Sequence, residues 1–287
     1  MKAIAAMAAL LAPALLAACA GSGGKAGLSG PLAGNVYVAM GSSMAAGPGL
    51  GPPKPDTPER CTRSFVNYPT LLAERLRMTL YDVTCSGATT DNILAGWEEL
   101  PAQIDAVTPE TRLVSVTIGG NDLNYVGNLL AANCGPDGTI AIAGNTFQCP
   151  AAVMPAEDDF ARLDANLREI ARQVKLRAPR ARLVFVEYLR LVPDSLCEMT
   201  PITEEAAAHA RATAERLARI TQAVARETGS VIVPAHELSN DHTPCGAEPW
   251  AVGNPPVYDG ADGAPWHPNA AGMQAVAAMV ADRIGGR

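Results

Sequence analysis

Aromatic residues are scarce: four Phe, six Tyr and three Trp make up 5% of the 287 residues. Histidine is scarcer, with four in the whole chain. Basic side chains are outnumbered, 22 Lys and Arg against 29 Asp and Glu, for a net charge of −7. No basic stripe runs along any segment, so a nucleic-acid partner is not expected. No two cysteines stand in CxxC spacing, which argues against a zinc or redox centre. The most apolar run, Ala3 to Ala17, is broken by Pro13 and is too short and too Ala-rich for a comfortable membrane-spanning helix. There is no internal repeat.

What is present is ample apolar material, 48% of residues, with 26 Gly and 23 Pro. That is enough for one domain with a full core and long, stiff loops. Met1-Lys2 supplies a short positive start, and the apolar run closes on Leu16-Ala17-Ala18-Cys19. Small residues before a cysteine resemble a bacterial lipobox, in which Cys19 becomes the lipidated first residue of the mature chain. The alternative is an ordinary secretory signal cleaved near Ala20. Several acyl chains on one cysteine anchor a protein without a transmembrane helix. The expected organisation is therefore a signal peptide over 1–18, lipidated Cys19 and a Gly/Ser-rich tether over 19–33, and one domain over 34–287. The expected location is a membrane surface facing the periplasm or the cell exterior.

Seven cysteines less Cys19 leave six. In an oxidising compartment six imply three disulfides, with fifteen possible pairings. The cysteines fall in sequential couples, and Cys61–Cys85, Cys134–Cys149 and Cys197–Cys245 are the expected bridges.

Five apolar, β-branched segments read as strands: about 36–41, Leu80–Cys85, Arg112–Ile118, Arg182–Tyr188 and Ser230–Pro234. Between them lie helical patterns over Tyr68–Met78, parts of Asp91–Val107, about Phe160–Val174 and Glu204–Thr228, with a last one over Ala270–Ile284. The stretch from Cys134 to Pro155 reads as irregular. Strands alternating with helices imply a parallel sheet covered on both faces, an α/β domain.

The first strand runs Asn35-Val36-Tyr37-Val38-Ala39-Met40 and stops on Gly41-Ser42-Ser43. In open α/β sheets such a stop lies at the carboxyl edge, where ligands bind. A serine presented there is a candidate nucleophile, though a plain turn has the same composition. Acyl transfer would also need a base near neutrality and donors for an oxyanion. Of the four histidines, His209 lies inside a helix. His236 and His242 flank Asp241 after the fifth strand, a spacing that matches no familiar metal site. His267 opens the last helix.

Four short blocks in order resemble the SGNH/GDSL hydrolase family, in particular its secreted bacterial lipase and esterase branch with three disulfides. They are Gly41-Ser42-Ser43, Cys85-Ser86-Gly87-Ala88-Thr89-Thr90, Gly119-Gly120-Asn121-Asp122 and His267-Pro268-Asn269. The resemblance covers residues 34–287. It implies a three-layer α/β/α sandwich with a five-stranded, mostly parallel, flavodoxin-like sheet. It makes Ser43 the nucleophile and His267 the base, with the Gly87 N–H and the Asn121 amide in the oxyanion hole. It implies a monomeric ester hydrolase acting on a small-molecule or lipid ester, with neither metal nor organic cofactor. Two positions depart from the pattern. The usual Asp of the first block is Ser42, and the usual Asp three residues before the histidine is Ala264. The Ala264 backbone carbonyl is the expected orienter of His267, with the Asp262 carboxylate as the alternative. These departures also keep open a catalytically inactive binding protein, and the family's range keeps open an acetylesterase acting on polysaccharide.

Overall fold

The computed structural model describes residues 35–55, 57–142 and 144–285. The signal segment, Cys19 and the tether lie outside the described residues. Five strands form the central sheet: β1 (Val36–Gly41), β2 (Thr79–Asp82), β3 (Thr111–Thr117), β6 (Arg182–Val186) and β7 (Val231–Val233). Their order is β2-β1-β3-β6-β7, and every neighbouring pair is parallel. Counted by sheet strand alone this is 2-1-3-4-5, the flavodoxin-like order. The expected α/β sandwich is therefore present, and its sheet is parallel throughout.

The two-residue period of β1 divides the core. Val38 and Met40 face Leu163 and Leu167 of α5 (Glu157–Arg177) and Leu217 of α6 (Glu204–Thr228). Tyr37 and Ala39 face Leu72 of α2 (Tyr68–Leu76) and Val276 of α8 (Ala270–Gly285). All four β1 side chains are fully buried. A strand sandwiched between two helical layers can carry apolar residues at every position, and this one does.

The 91–107 stretch is helical in two short pieces, α3 (Thr90–Leu94) and a 3-10 turn over Gln103–Ala106, with Gly96 and Pro101 between them. The chain also forms structure where none was expected. A helix, α4 (Tyr125–Ala132), follows the Gly119–Asp122 turn. The stretch read as irregular contains an antiparallel hairpin of β4 (Thr139–Ile142) and β5 (Asn145–Gln148). Its polar alternation is too short to stand out, and the Cys134–Cys149 disulfide closes it. All three sequential disulfides are formed. A short helix, α7 (Ala235–Leu238), leads from β7 into the loop that supports the last turn.

Candidate active site

The carboxyl edge of the sheet gathers the four blocks. β1 ends on Gly41, whose φ is 149°. A Cβ there would stand 2.5 Å from the Thr117 carbonyl oxygen, so only glycine lets β1 run this close to β3. Gln103 holds the same residue from the side. Its Oε1 accepts from the Gly41 N–H at 2.7 Å and its Nε2 donates to the Gly41 carbonyl at 3.1 Å. Ser42 then caps a single helical turn, α1 (Ser43–Ala46), and Gly47 ends it in the left-handed region. Ser43 is therefore the first residue of a helical turn, where the backbone N–H has no partner within the helix.

Ser43 Oγ lies 2.8 Å from Nε2 of His267. The other ring nitrogen, Nδ1, lies 2.8 Å from the Pro265 carbonyl. A carbonyl only accepts, so Nδ1 carries the proton and Nε2 presents its lone pair to the Ser43 hydroxyl. Both side chains are buried. Burial disfavours the imidazolium and lowers the His267 pKa below the ordinary histidine value; the Pro265 bond works against this without reversing it.

The orienting acceptor differs from both expectations. It is the carbonyl of Pro265, neither that of Ala264 nor the Asp262 carboxylate. Trp266 is the reason. It sits in the left-handed region at φ 58°, an uncommon conformation for a bulky residue. That twist turns the carbonyl before it onto the ring after it. The fully buried indole holds the twist by donating to Asn133 Oδ1 at 2.6 Å. Asp262 is exposed and accepts from the Ala270 N–H at 3.1 Å, at the start of α8. Asp259 closes a local turn by accepting from the Ala261 N–H. The Ala264 N–H is bound to the Pro48 carbonyl.

The strip 249–254 braces the histidine turn from behind. Val252 donates to the His267 carbonyl at 3.0 Å, Trp266 to the Val252 carbonyl at 3.1 Å, and Asn269 to the Trp250 carbonyl at 3.0 Å. His242 belongs to this brace: its ring stacks on Trp250 at 3.6 Å between centroids, and Nδ1 bonds the Glu248 carbonyl. Among the described residues, no three His, Cys, Asp or Glu side chains are grouped as metal ligands would be.

Gly87 has φ 84°, and a Cβ on it would press on the Trp97 ring at 3.1 Å. The Cys61–Cys85 disulfide and a 2.6 Å bond between the Thr62 and Ser86 hydroxyls hold its turn. Closing a loop of 24 residues in this way stabilises by about 3 kcal/mol in the chain-entropy account. Asn121 donates one N–H of its amide to the Ala88 carbonyl at 2.8 Å, which fixes the plane carrying the other. Asp122 accepts from the Thr90 N–H and hydroxyl and so ties the second block to the third. Its carboxyl pKa is raised by burial, against the pull of the Thr90 bonds. Sequence reasoning missed Gln103 and Trp266, each of which acts through a partner distant in the chain.

A parallel sheet that brings a hydrogen-bonded serine and histidine to its carboxyl edge, beside a half-buried side-chain amide, defines a class: a serine hydrolase built on an α/β sandwich. Sequence comparison narrows the class. Residues 39–275 match the GDSL-like Lipase/Acylhydrolase family, and the chain belongs to it. It is 33% identical over 258 residues to Lipase 2 of Streptomyces coelicolor, covering 87% of this chain and 85% of that one. It is 30% identical over 251 residues to a lipase of Streptomyces rimosus, covering 87% of each. The solved extracellular lipase from Streptomyces rimosus shares the fold, with a TM-score of 0.67 at 24% identity over 87% of this chain and 99% of that one. So does phospholipase A1 from Streptomyces albidoflavus, with a TM-score of 0.67 at 22% identity over 88% and 100%. The chain is a serine carboxylic ester hydrolase.

Proposed function

We propose that Ser43 and His267 form the catalytic dyad of this hydrolase and that it cleaves esters of apolar acyl groups. The observation that carries the reading is the relay from Ser43 Oγ to His267 Nε2 and from Nδ1 to the Pro265 carbonyl, each step 2.8 Å. His267 removes the Ser43 proton as Oγ attacks the ester carbonyl. The backbone N–H groups of Ser43 and Gly87 and the remaining N–H of the Asn121 amide receive the oxyanion. His267 then gives its proton to the departing alkoxide, leaving Ser43 acylated. A water that loses its proton to His267 attacks the acyl-enzyme, and the acid leaves as Ser43 Oγ regains a proton. The Pro265 carbonyl keeps the ring in the tautomer each step needs.

An apolar acyl group is favoured over an acetyl group on a polysaccharide for two reasons. The relatives at 33% and 30% identity are both described as lipases. A cavity of about 400 Å³ lies between α4 and α6, lined by apolar Leu129, Ala132, Met154 and Ala210 together with polar Asn128, Glu205 and His209. Ser43 and His267 are not among its lining residues, but the Asn133–Trp266 bond ties the end of α4 to the residue beside His267. Of the apolar residues in the neighbouring loop, Ile140 is buried in the hairpin and Val153 is 56% exposed. A fluorophosphonate probe is expected to label the protein once, on Ser43, as mapped by peptide mass spectrometry. An unlabelled protein would favour the inactive binding fold instead.

We also infer export and anchoring through Cys19. The cysteines from Cys61 onward pair among themselves, which suits an oxidising compartment. Among the described residues no helix is long and apolar enough to cross a membrane. The mature protein is expected to begin at Cys19 and to carry the mass of a diacylglyceryl group. A chain beginning after Ala20 without lipid would refute the anchor.

A further inference from the structure

Ser42 stands where the family's first block usually has Asp, and its hydroxyl is paired with a phenol from across the sheet. Ser42 Oγ lies 2.7 Å from the hydroxyl of Tyr188. The same Tyr188 oxygen accepts the Gly120 N–H at 3.1 Å. Ser42 precedes the nucleophile, and Gly120 precedes the amide of Asn121. One phenol oxygen therefore touches both turns, each one residue from a group proposed to act on the substrate.

The chain is built to admit that phenol. Tyr188 lies two residues past the end of β6, the strand paired to β3 on the side away from β1. Its side chain crosses the end of β3 to reach Ser42. Gly120 makes the crossing possible, since a Cβ there would stand 2.3 Å from the Tyr188 ring. Ser42 and Tyr188 are both buried. Burial pushes the Tyr188 hydroxyl up to about 12, so it stays neutral wherever His267 can act as a base. The two turns have one direct backbone tie besides, from the Ser42 N–H to the Thr117 carbonyl at 3.0 Å. That tie sits at the end of β3, three residues before Gly120. Among the described residues, the phenol is what links the Gly120 end of that turn to the Ser42 turn.

We propose that Tyr188 is a positioning residue for ester hydrolysis: by bridging Ser42 and Gly120 it sets the distance between the Ser43 nucleophile and the Asn121 oxyanion donor. The bridge is neutral and shared, where a carboxylate at position 42 would bring a charge into a fully buried site. Its value is geometric. Oxyanion donors act only when they lie at hydrogen-bond distance from where the oxygen will be, and a misplacement of about 1 Å can cost about a hundredfold in rate. A loosened bridge weakens the transition state while leaving ground-state binding of the ester almost unchanged.

This rests on the roles proposed for Ser43 and Asn121, so Ser43→Ala is the control. The measurement is kcat and KM for p-nitrophenyl butyrate. Tyr188→Phe, which removes one oxygen and keeps the ring, is expected to lower kcat by about ten- to a hundredfold with KM within about twofold. Ser42→Ala cuts the bridge from its other end and is expected to give a loss of the same kind; it carries the test alone if Tyr188→Phe does not fold. The two together should cost no more than the worse single variant, because they remove one bridge. In an Asn121→Ala background, where the donor is already gone, Tyr188→Phe should cost less than about threefold. Wild-type kcat in a folded Tyr188→Phe overturns the proposal, as does wild-type kcat in Ser42→Ala where Tyr188→Phe does not fold. So does a Tyr188→Phe loss that multiplies in full with Asn121→Ala, which would mark a general structural effect. Full activity in Ser43→Ala would overturn the underlying reading; its loss beside an active Tyr188→Phe would overturn only this one.

Discussion

Ser43→Ala is expected to reduce kcat for p-nitrophenyl butyrate by about ten-thousandfold or more, with the far-UV spectrum unchanged and the melting temperature within a few degrees. The size follows from the chemistry. Removing Oγ removes the atom that bonds to the acyl carbon, and what survives is the modest help of the oxyanion donors and of binding. The small structural cost follows from the surroundings. The turn is set by Gly41 against Thr117, by the two Gln103 bonds and by Gly47, none of which involves Oγ. The substitution leaves His267 Nε2 without a protein partner, a loss of about 1 kcal/mol. Ser42 cannot take over. Its hydroxyl is fully buried and turned to Tyr188, so two adjacent serines have separate fates. A Ser43→Ala protein with more than a tenth of wild-type kcat would remove Ser43 from the mechanism.

His267→Ala should cause a loss of the same order, and the double variant with Ser43→Ala should be no worse than either single one, because the two groups act as a unit. Asp262→Asn should keep kcat within about threefold, since Asn retains the Oδ1 acceptor that Asp262 offers to the Ala270 N–H. The pH dependence separates carbonyl from carboxylate. Burial lowers the His267 pKa, so the imidazole is neutral and competent down to a pH below the ordinary histidine value of about 6.5. As pH falls through the lowered pKa, Nε2 takes a proton and can no longer accept one from Ser43. The acid limb of kcat/KM is therefore expected below pH 6.5. A buried carboxylate against Nδ1 would favour the imidazolium and move the limb upward. An acid limb above 6.5, together with an Asp262→Asn loss as deep as that of His267→Ala, would return the orienting role to Asp262.

The site is held by long-range ties around short turns. The disulfide Cys61–Cys85 fixes the Gly87 turn from a loop 24 residues earlier. Asp122 reaches back to Thr90, and Asn121 to Ala88, so the second and third turns move together. The histidine turn hangs on the strip 249–254 and on the Trp266 indole. Each tie spends its strength on a backbone carrying a proposed donor, nucleophile or base, which is how a buried site is held to within a fraction of an ångström.

The sequence by itself determined the sheet and the four turns. Apolar residues on both sides of β1 require cover on both faces, and helices between the strands make the sheet parallel; these are local patterns whose period survives in a linear reading. It also singled out Ser43, Gly87, Asn121 and His267, through the resemblance of four short blocks to those of the SGNH/GDSL family. Counting the cysteines called for three disulfides, and pairing them in sequential couples named the bridges that form. Only the tertiary structure decided what orients His267 and what supports Ser42. The acceptor at Nδ1 is a backbone carbonyl, an atom every residue possesses, and it was selected by the left-handed twist at Trp266 and by a bond to Asn133, 133 residues away. Tyr188 reaches Ser42 across 146 residues, and Gln103 reaches Gly41 across 62. A partner chosen by the crossing of distant chains leaves no periodicity or spacing to read, so the identities of these groups became meaningful only once the sheet had brought them together.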